Sequence, residues 1–209
     1  MRFVLTLFTF ILIISNYLPA EAKGSNFPYS IGPFITLKGG VNAADVPQGI
    51  KNGFTINGLP DFGASGYIPF GEKSQFGLAV DLAYSTYAYD MKVNNSGNLK
   101  TSSINYFTLG TNIFIYGFTT GLNFGIPISG NIEYPYTEKT KTTDDMNLMV
   151  EFKIGGMIPL YYDETGRVNL IIQFGYFLTE QLNEDYTGSY NHHPASGAIG
   201  VSYLFNLSE

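Results

Sequence analysis

His192 and His193 are the chain's two histidines, set in the stretch "NHHPAS" with Ser196 just downstream and Glu184 and Asp185 just upstream. Imidazole beside a hydroxyl and a carboxylate is the make-up of an acyl-transfer triad, and a pair of imidazoles can also ligate a metal. The spacing argues against both chemistries. Neighbours on an extended chain point to opposite sides, so adjacent histidines do not converge on one ion. The run matches no known triad spacing either. The expectation is solvated loop residues, with His192, His193 and Ser196 kept as weak site candidates.

A second set of charges sits inside the most regular parts of the sequence. Lys38, Asp81, Glu151 and Lys153 fall on runs whose alternate residues are small or polar. In "FGLAVDLAYS", Asp81 shares a side with Gly77, Ala79, Ala83 and Ser85, while Phe76, Leu78, Val80, Leu82 and Tyr84 fill the other. Charges on the small-residue side of a narrow lumen must be paired or hydrogen-bonded, so a structural polar network is expected there. An ion or proton path is the functional counterpart. Tyr106, Phe114 and Phe177 on the same side would narrow the lumen further.

The elements that carry these residues follow from period-two alternation. Eight segments show it, at about 32–41, 58–70, 75–90, 101–116, 118–132, 147–161, 168–182 and 195–207, and no segment downstream of the N-terminus sustains a 3.6-residue period. The joins at 71–74, at Tyr116-Gly117 and at "YDETGR" are short, whereas those around 42–57, 91–100, 133–145 and 183–193 are long and polar. Short turns at one end and long loops at the other are the pattern of membrane barrels. Pro127 lies within a strand and predicts a bulge or a rim at that point. A hairpin inside 42–57 would raise the strand count to ten.

Composition supports a single all-β domain of an unusual kind. The 209 residues include 24 Gly, 16 Tyr and 17 Phe but no Trp and no Cys. Only 13% of residues are charged, about half the usual share of a soluble surface. Without cysteine there is no disulfide and no thiolate zinc site. A formal net charge of −6 without a basic stripe excludes nucleic-acid tracking. No cofactor is expected.

Volume decides which side of the strands faces inward. An eight-stranded barrel has room inside only for tightly fitted side chains, and the roughly thirty bulky apolar residues on one side of these strands exceed it. They must face lipid. The prediction is a closed eight-stranded antiparallel up-and-down transmembrane β-barrel over residues 32–207, behind a short segment at 23–31. Tyr84, Tyr87, Tyr89, Tyr134 and Tyr136, near the outer strand ends, are expected to form an aromatic girdle. A soluble periplasmic ligand-binding barrel, with the bulky side inward, is the opposite arrangement.

The first residues, "MRFVLTLFTFILIISNYLPAEA", have a positive start at Arg2, an apolar run from Phe3 to Ile14 and a small-x-small site at 20–22. That is the form of a secretory signal peptide, cleaved near Ala22. Export and a membrane barrel together imply the outer membrane of a Gram-negative bacterium.

The stretches "GASGYIPFGEKSQFGLAVDLAYS", "NYFTLGTNIFIYGFTTGLNFG" and "FGYFLTEQL" with "GAIGVSYLFNL" resemble the small PorT-like outer-membrane barrels of Bacteroidota-type bacteria, which in turn look like the OmpX and OmpA barrels. The resemblance implies fold and location and carries no catalytic residue. Gly200, Tyr203 and Phe205 resemble the C-terminal signal read by the barrel-assembly machinery. The partners expected are that machinery, outer-membrane lipid and lipopolysaccharide; Lys139 and Lys141 of the 133–145 loop are candidates for contact with a partner or lipopolysaccharide, with a solvated loop the favoured expectation. The expected role is non-enzymatic, structural or surface-interacting, in a monomer. A lipid-modifying deacylase or acyltransferase at the rim, using the histidines, is the alternative.

Overall fold

In the computed structural model the described residues are 27–46, 48–71, 75–93, 99–133, 140–182 and 192–207. The proposed leader with its site at Ala22, the loop residues Tyr134, Tyr136 and Lys139, and the carboxylates Glu184 and Asp185 lie outside them.

Alternation of bulky and small residues builds strands, and about three quarters of the described residues are strand. In order they are β1 (Ser30–Asn42), β2 (Ile50–Gly53), β3 (Thr55–Ile56), β4 (Asp61–Pro69), β5 (Phe76–Val93), β6 (Leu99–Ile115), β7 (Phe118–Glu133), β8 (Thr140–Lys141), β9 (Met149–Tyr162), β10 (Gly166–Phe177) and β11 (Pro194–Asn206). Eight of them form an antiparallel ring, β1-β4-β5-β6-β7-β9-β10-β11. It closes where β11 pairs with β1, from Ser30 opposite Asn206 to Asn42 opposite Pro194. The eight segments expected from alternation are these eight strands. Closure satisfies the backbone of both terminal strands, which an open sheet in lipid would leave unpaired.

The 42–57 stretch does hold strand, but it adds none to the ring. Ile50–Gly53 pairs with the top of β5, and Thr55–Ile56 pairs with Gly39 and Gly40 of β1, so the two short strands continue the wall above β4. Between Ile56 and Asp61 the ladder is interrupted, and side chains replace it. Thr86 N–H donates to Asp61 Oδ1 at 2.9 Å, Ala88 N–H donates to Asn57 Oδ1 at 3.2 Å, and Asn57 Nδ2 donates to the Thr86 carbonyl. The β5 groups that would be orphaned at this gap are thereby satisfied.

Both register shifts in the ring fall beside a proline. Tyr106 pairs with Pro127 and Asn105 with Ser129, which leaves Ile128 extra, and Asn169 pairs with Pro159 and Val168 with Tyr161, which leaves Leu160 extra. Proline brings no N–H to the ladder, so a bulge there forfeits little. The short join at Tyr116-Gly117 has positive φ at both residues, 50° and 86°, as a two-residue type I′ hairpin requires. At the 163–165 turn Asp163 Oδ1 accepts from the Thr165 hydroxyl and from the Thr165 and Gly166 N–H groups. The Thr165 hydroxyl first, then the Gly166 amide, hold its carboxyl below the usual range.

The bulky side faces out. Ile35, Leu82, Leu109, Phe124, Ile199 and Val201 are among the exposed apolar residues, while Thr36, Ser65, Asp81, Thr108, Asn123 and Ser202 are buried within the ring. Along β5 the outward run from Phe76 to Tyr84 spans about 20 Å at ~3.3 Å per residue and ~40° of tilt, close to the hydrocarbon band of a barrel. Glycine lets neighbouring strands approach this tightly. A Cβ on Gly200 would collide with the Ile35 carbonyl oxygen, and one on Gly63 with that of Leu82.

Two tyrosines depart from the expected girdle. Tyr84 faces out and stacks on Phe62, with ring centroids 5.3 Å apart, but Tyr87 and Tyr89 are buried in the lumen. They share parity with Asp81, and in a strand that runs unbroken to Val93 parity overrides nearness to the rim.

Candidate functional site

The lumen is layered. Its turn end holds an apolar floor of Phe27, Tyr67, Phe114, Met157 and Leu204, with Tyr162 packed against it. Its loop end holds a larger apolar cluster that includes Tyr87, Tyr106, Met149 and Phe177. Tyr106, Phe114 and Phe177 all point inward, as alternation requires, and each is at most 2% exposed. Between the two clusters lies a belt of charged and polar side chains around a cavity of about 10 Å³, room for about one water.

Three strands supply the belt's first pair. Lys38 of β1 forms an ion pair with Asp61 of β4, and its ammonium lies 3.6 Å from the centroid of the Tyr87 ring on β5. Thr36 is the residue opposite Asp61, so Lys38 reaches it diagonally. Asp61 was not among the charges the sequence singled out. Its parity opposite Phe62 and Ile68 is the signal that places it inside.

The remaining carboxylates are held by neutral donors. Asp81 accepts from Ser65 Oγ at 2.6 Å and from Asn112 Nδ2 at 3.1 Å. Glu151 accepts from the Tyr87 hydroxyl at 2.6 Å, Asn123 Nδ2 at 2.9 Å and Ser196 Oγ at 3.3 Å. Lys153 is half-buried and lines the central cavity with Asp81, Lys38 and Asp61. The four charges named from the sequence thus share one belt, while their partners come from other strands.

The histidines and Ser196 are not brought together. His192 is buried rather than solvated: its Nδ1 is 2.6 Å from the Tyr89 hydroxyl, which also donates to Gln181 Oε1 at 2.8 Å. With the Tyr89 hydroxyl donating to Gln181 Oε1, the contact to His192 is made by the Nδ1–H tautomer donating to the Tyr89 oxygen. Gln181 Nε2 in turn donates to the Tyr106 hydroxyl at 3.1 Å. Burial, and then the neighbouring His193, push the His192 imidazole down to about 4. His193 faces the other way, stacked on Tyr176 with its Nδ1 3.1 Å from the Phe177 carbonyl, and Ser196 is spent on Glu151. The two histidines are separated by the alternation of an extended chain, and Ser196 lies about 13 Å further along it from His192. Among the described residues no group of three or more His, Asp or Glu is placed to hold a metal.

Arg167, at the start of β10, is a further buried charge, on the same side of its strand as Asn169 and Ile171. It is 1% exposed, and its guanidinium carbon lies 4.1 Å from the Phe27 ring centroid and 4.4 Å from that of Tyr67. Among the described residues none of its three nitrogens has a hydrogen-bond acceptor.

A closed antiparallel ring with bulky apolar residues outside and a charged belt inside is the architecture of a membrane-spanning β-barrel. No family model and no curated protein matches the chain. Among solved structures it is similar to the outer membrane protein OprG of Pseudomonas aeruginosa, at 12% identity over 87% of this chain and 100% of that one, with a TM-score of 0.38. It is also similar to Ail, the attachment invasion locus protein of Yersinia pestis, solved with the heparin analogue sucrose octasulfate, at 8% identity over 86% and 100% with a TM-score of 0.39. A third likeness is to the translocator domain of the autotransporter NalP of Neisseria meningitidis, at 10% identity over 88% and 90% with a TM-score of 0.31. These likenesses are remote, and the class rests on the chain's own inner and outer faces.

Proposed function

We infer that the chain is an integral outer-membrane β-barrel protein with a side-chain-plugged lumen and a structural or surface-interacting role exerted through its long loops. The observation that carries this reading is the inversion of polarity: Leu82, Leu109, Ile199 and Val201 outside, Lys38, Asp61, Asp81 and Glu151 within. The leader-like N-terminus and the PorT-like sequence resemblance support the compartment. Apolar clusters above and below the belt, and a cavity of only about 10 Å³ between them, support the plug. The role is non-catalytic, a reading supported by the dispersal of His192, His193 and Ser196 onto separate partners. Outer-membrane lipid and lipopolysaccharide surround a monomer, and Gly200, Tyr203 and Phe205 serve the assembly machinery on insertion.

The test is expression with fractionation. The protein is expected in the outer-membrane fraction, migrating differently on a gel before and after boiling, with no porin-sized current in planar bilayers. Recovery in osmotic-shock fluid would overturn the membrane assignment, and a steady large conductance would overturn the plug. A lipid A mass shift on expression, lost in His193→Ala, would replace the structural role with an enzymatic one.

A further inference from the structure

Among the described residues, the floor of the lumen holds a cation without a counterpart. Every belt charge described above has a polar partner or lines the cavity, whereas Arg167 meets only aromatic faces, and its Nε, Nη1 and Nη2 are all buried without an acceptor. Cation–π contact compensates the loss of water only in part. A guanidinium presents a planar fork of donors that matches an anion. The Ser30 hydroxyl, inward at the same end of the barrel, is also buried without a partner. Arg167's three nitrogens can only donate and the Ser30 hydroxyl can donate, while the one unmet acceptor among the described residues of this end is Asn206 Oδ1, opposite Ser30.

The group that covers Arg167 is not part of the ring. Phe27 precedes β1, and its ring packs edge-on against Tyr67, Phe114 and Tyr162 at centroid distances of 6.2, 6.0 and 5.8 Å. Displacing it breaks no ladder hydrogen bond, because backbone pairing at this end begins at Tyr29, whose carbonyl accepts from the Leu207 N–H at 2.7 Å. It would open Arg167 to the turn-end mouth.

We propose that Arg167 is a small-anion site in the lumen floor, capped by Phe27, at which an anion of phosphate or chloride size displaces the phenyl ring and accepts from the guanidinium. The aromatic cap holds the cation when no anion is bound and competes with the anion for it. This site does not depend on the outer-membrane role and stands or falls separately from it.

The test uses the full chain folded in detergent micelles. Arg2 and Arg167 are the only arginines, so the Arg167 side-chain Nε–Hε resonance is readily assigned and followed while sodium phosphate or sodium chloride is added at constant ionic strength. A saturable shift is expected, lost in Arg167→Lys, and the stronger of the two salts tells an oxoanion site from a halide site. Phe27→Ala should tighten binding about tenfold, the worth of one aromatic face on a desolvated cation. Should Arg167→Lys fail to fold, the Phe27→Ala comparison still decides. Equal affinity in the two chains, or saturation in Phe27→Ala with none in the parent, sinks the displaceable cap, and saturation in neither sinks the site.

Discussion

The belt and the floor of the lumen treat buried charge in opposite ways. In the belt, Lys38 has Asp61, and Asp81 and Glu151 are surrounded by hydroxyl and amide donors. In the floor, Arg167 has two ring faces and no acceptor among the described residues. A charge with matched partners is costly to disturb because its neighbour is then stranded, whereas a charge without them leaves nothing stranded when removed. The belt is therefore the costlier place to disturb, and the floor is where a ligand has unmet donors to find.

Breaking the belt pair should do the most damage. Asp61→Ala strands the Lys38 ammonium and frees the Thr86 amide, and should lower stability by about 3–5 kcal/mol, measured by denaturant unfolding of the micelle-embedded barrel. The double variant Lys38→Met with Asp61→Asn should recover most of that loss, since the amide oxygen introduced at position 61 can still accept from the Thr86 N–H and no charge remains. Failure of the double variant to recover would mean that the pair matters for something beyond mutual neutralisation.

The loop end supplies a pH-dependent counterpart. His192 has its imidazole pushed down to about 4 in the fold, against about 6.5 in the unfolded chain. Between those values the unfolded chain binds a proton that the barrel refuses, so stability falls as pH drops from about 6.5 towards 4 and levels off below. The loss should be about 2 kcal/mol after allowance for partial solvation. His192→Gln should flatten that part of the stability profile, and an unchanged slope would rule His192 out as its source.

Two further substitutions should do far less. Arg167→Met removes a cation that has no hydrogen bond to lose, and should change stability by less than about 1 kcal/mol in either direction; a loss as large as that of Asp61→Ala would erase the distinction between belt and floor. Lys100 and Glu133 pair at 3.0 Å on the exposed part of the wall, with their side chains 45% and 36% exposed. Glu133→Gln there should cost under about 0.5 kcal/mol and less still at high salt, by the same unfolding assay.

Much of the barrel is legible in the amino-acid order alone. Alternation places Leu82 outside and Asp81 inside, and it locates all eight ring strands, because side-chain direction in a strand is a local consequence of the pleat. The same parity places Tyr87, Tyr89, Asp61 and Arg167 inside once it is carried to the strand ends. Pro127 announces its bulge by lacking an amide hydrogen within a strand, whereas the bulge beside Pro159 shows only in the register. What parity leaves open is which inward residues meet.

Partnerships belong to the tertiary structure. Lys38 finds Asp61 rather than Asp81 because the register between β1 and β4 sets Thr36 against Asp61. Glu151 reaches Tyr87, 64 residues away in the chain, only because closure of the ring brings β5 and β9 across a narrow lumen. Register and closure are fixed by cooperative pairing around the whole ring, and no local stretch of sequence contains them. The chain's order therefore settles which face each residue occupies, and the closed sheet alone settles what it touches there.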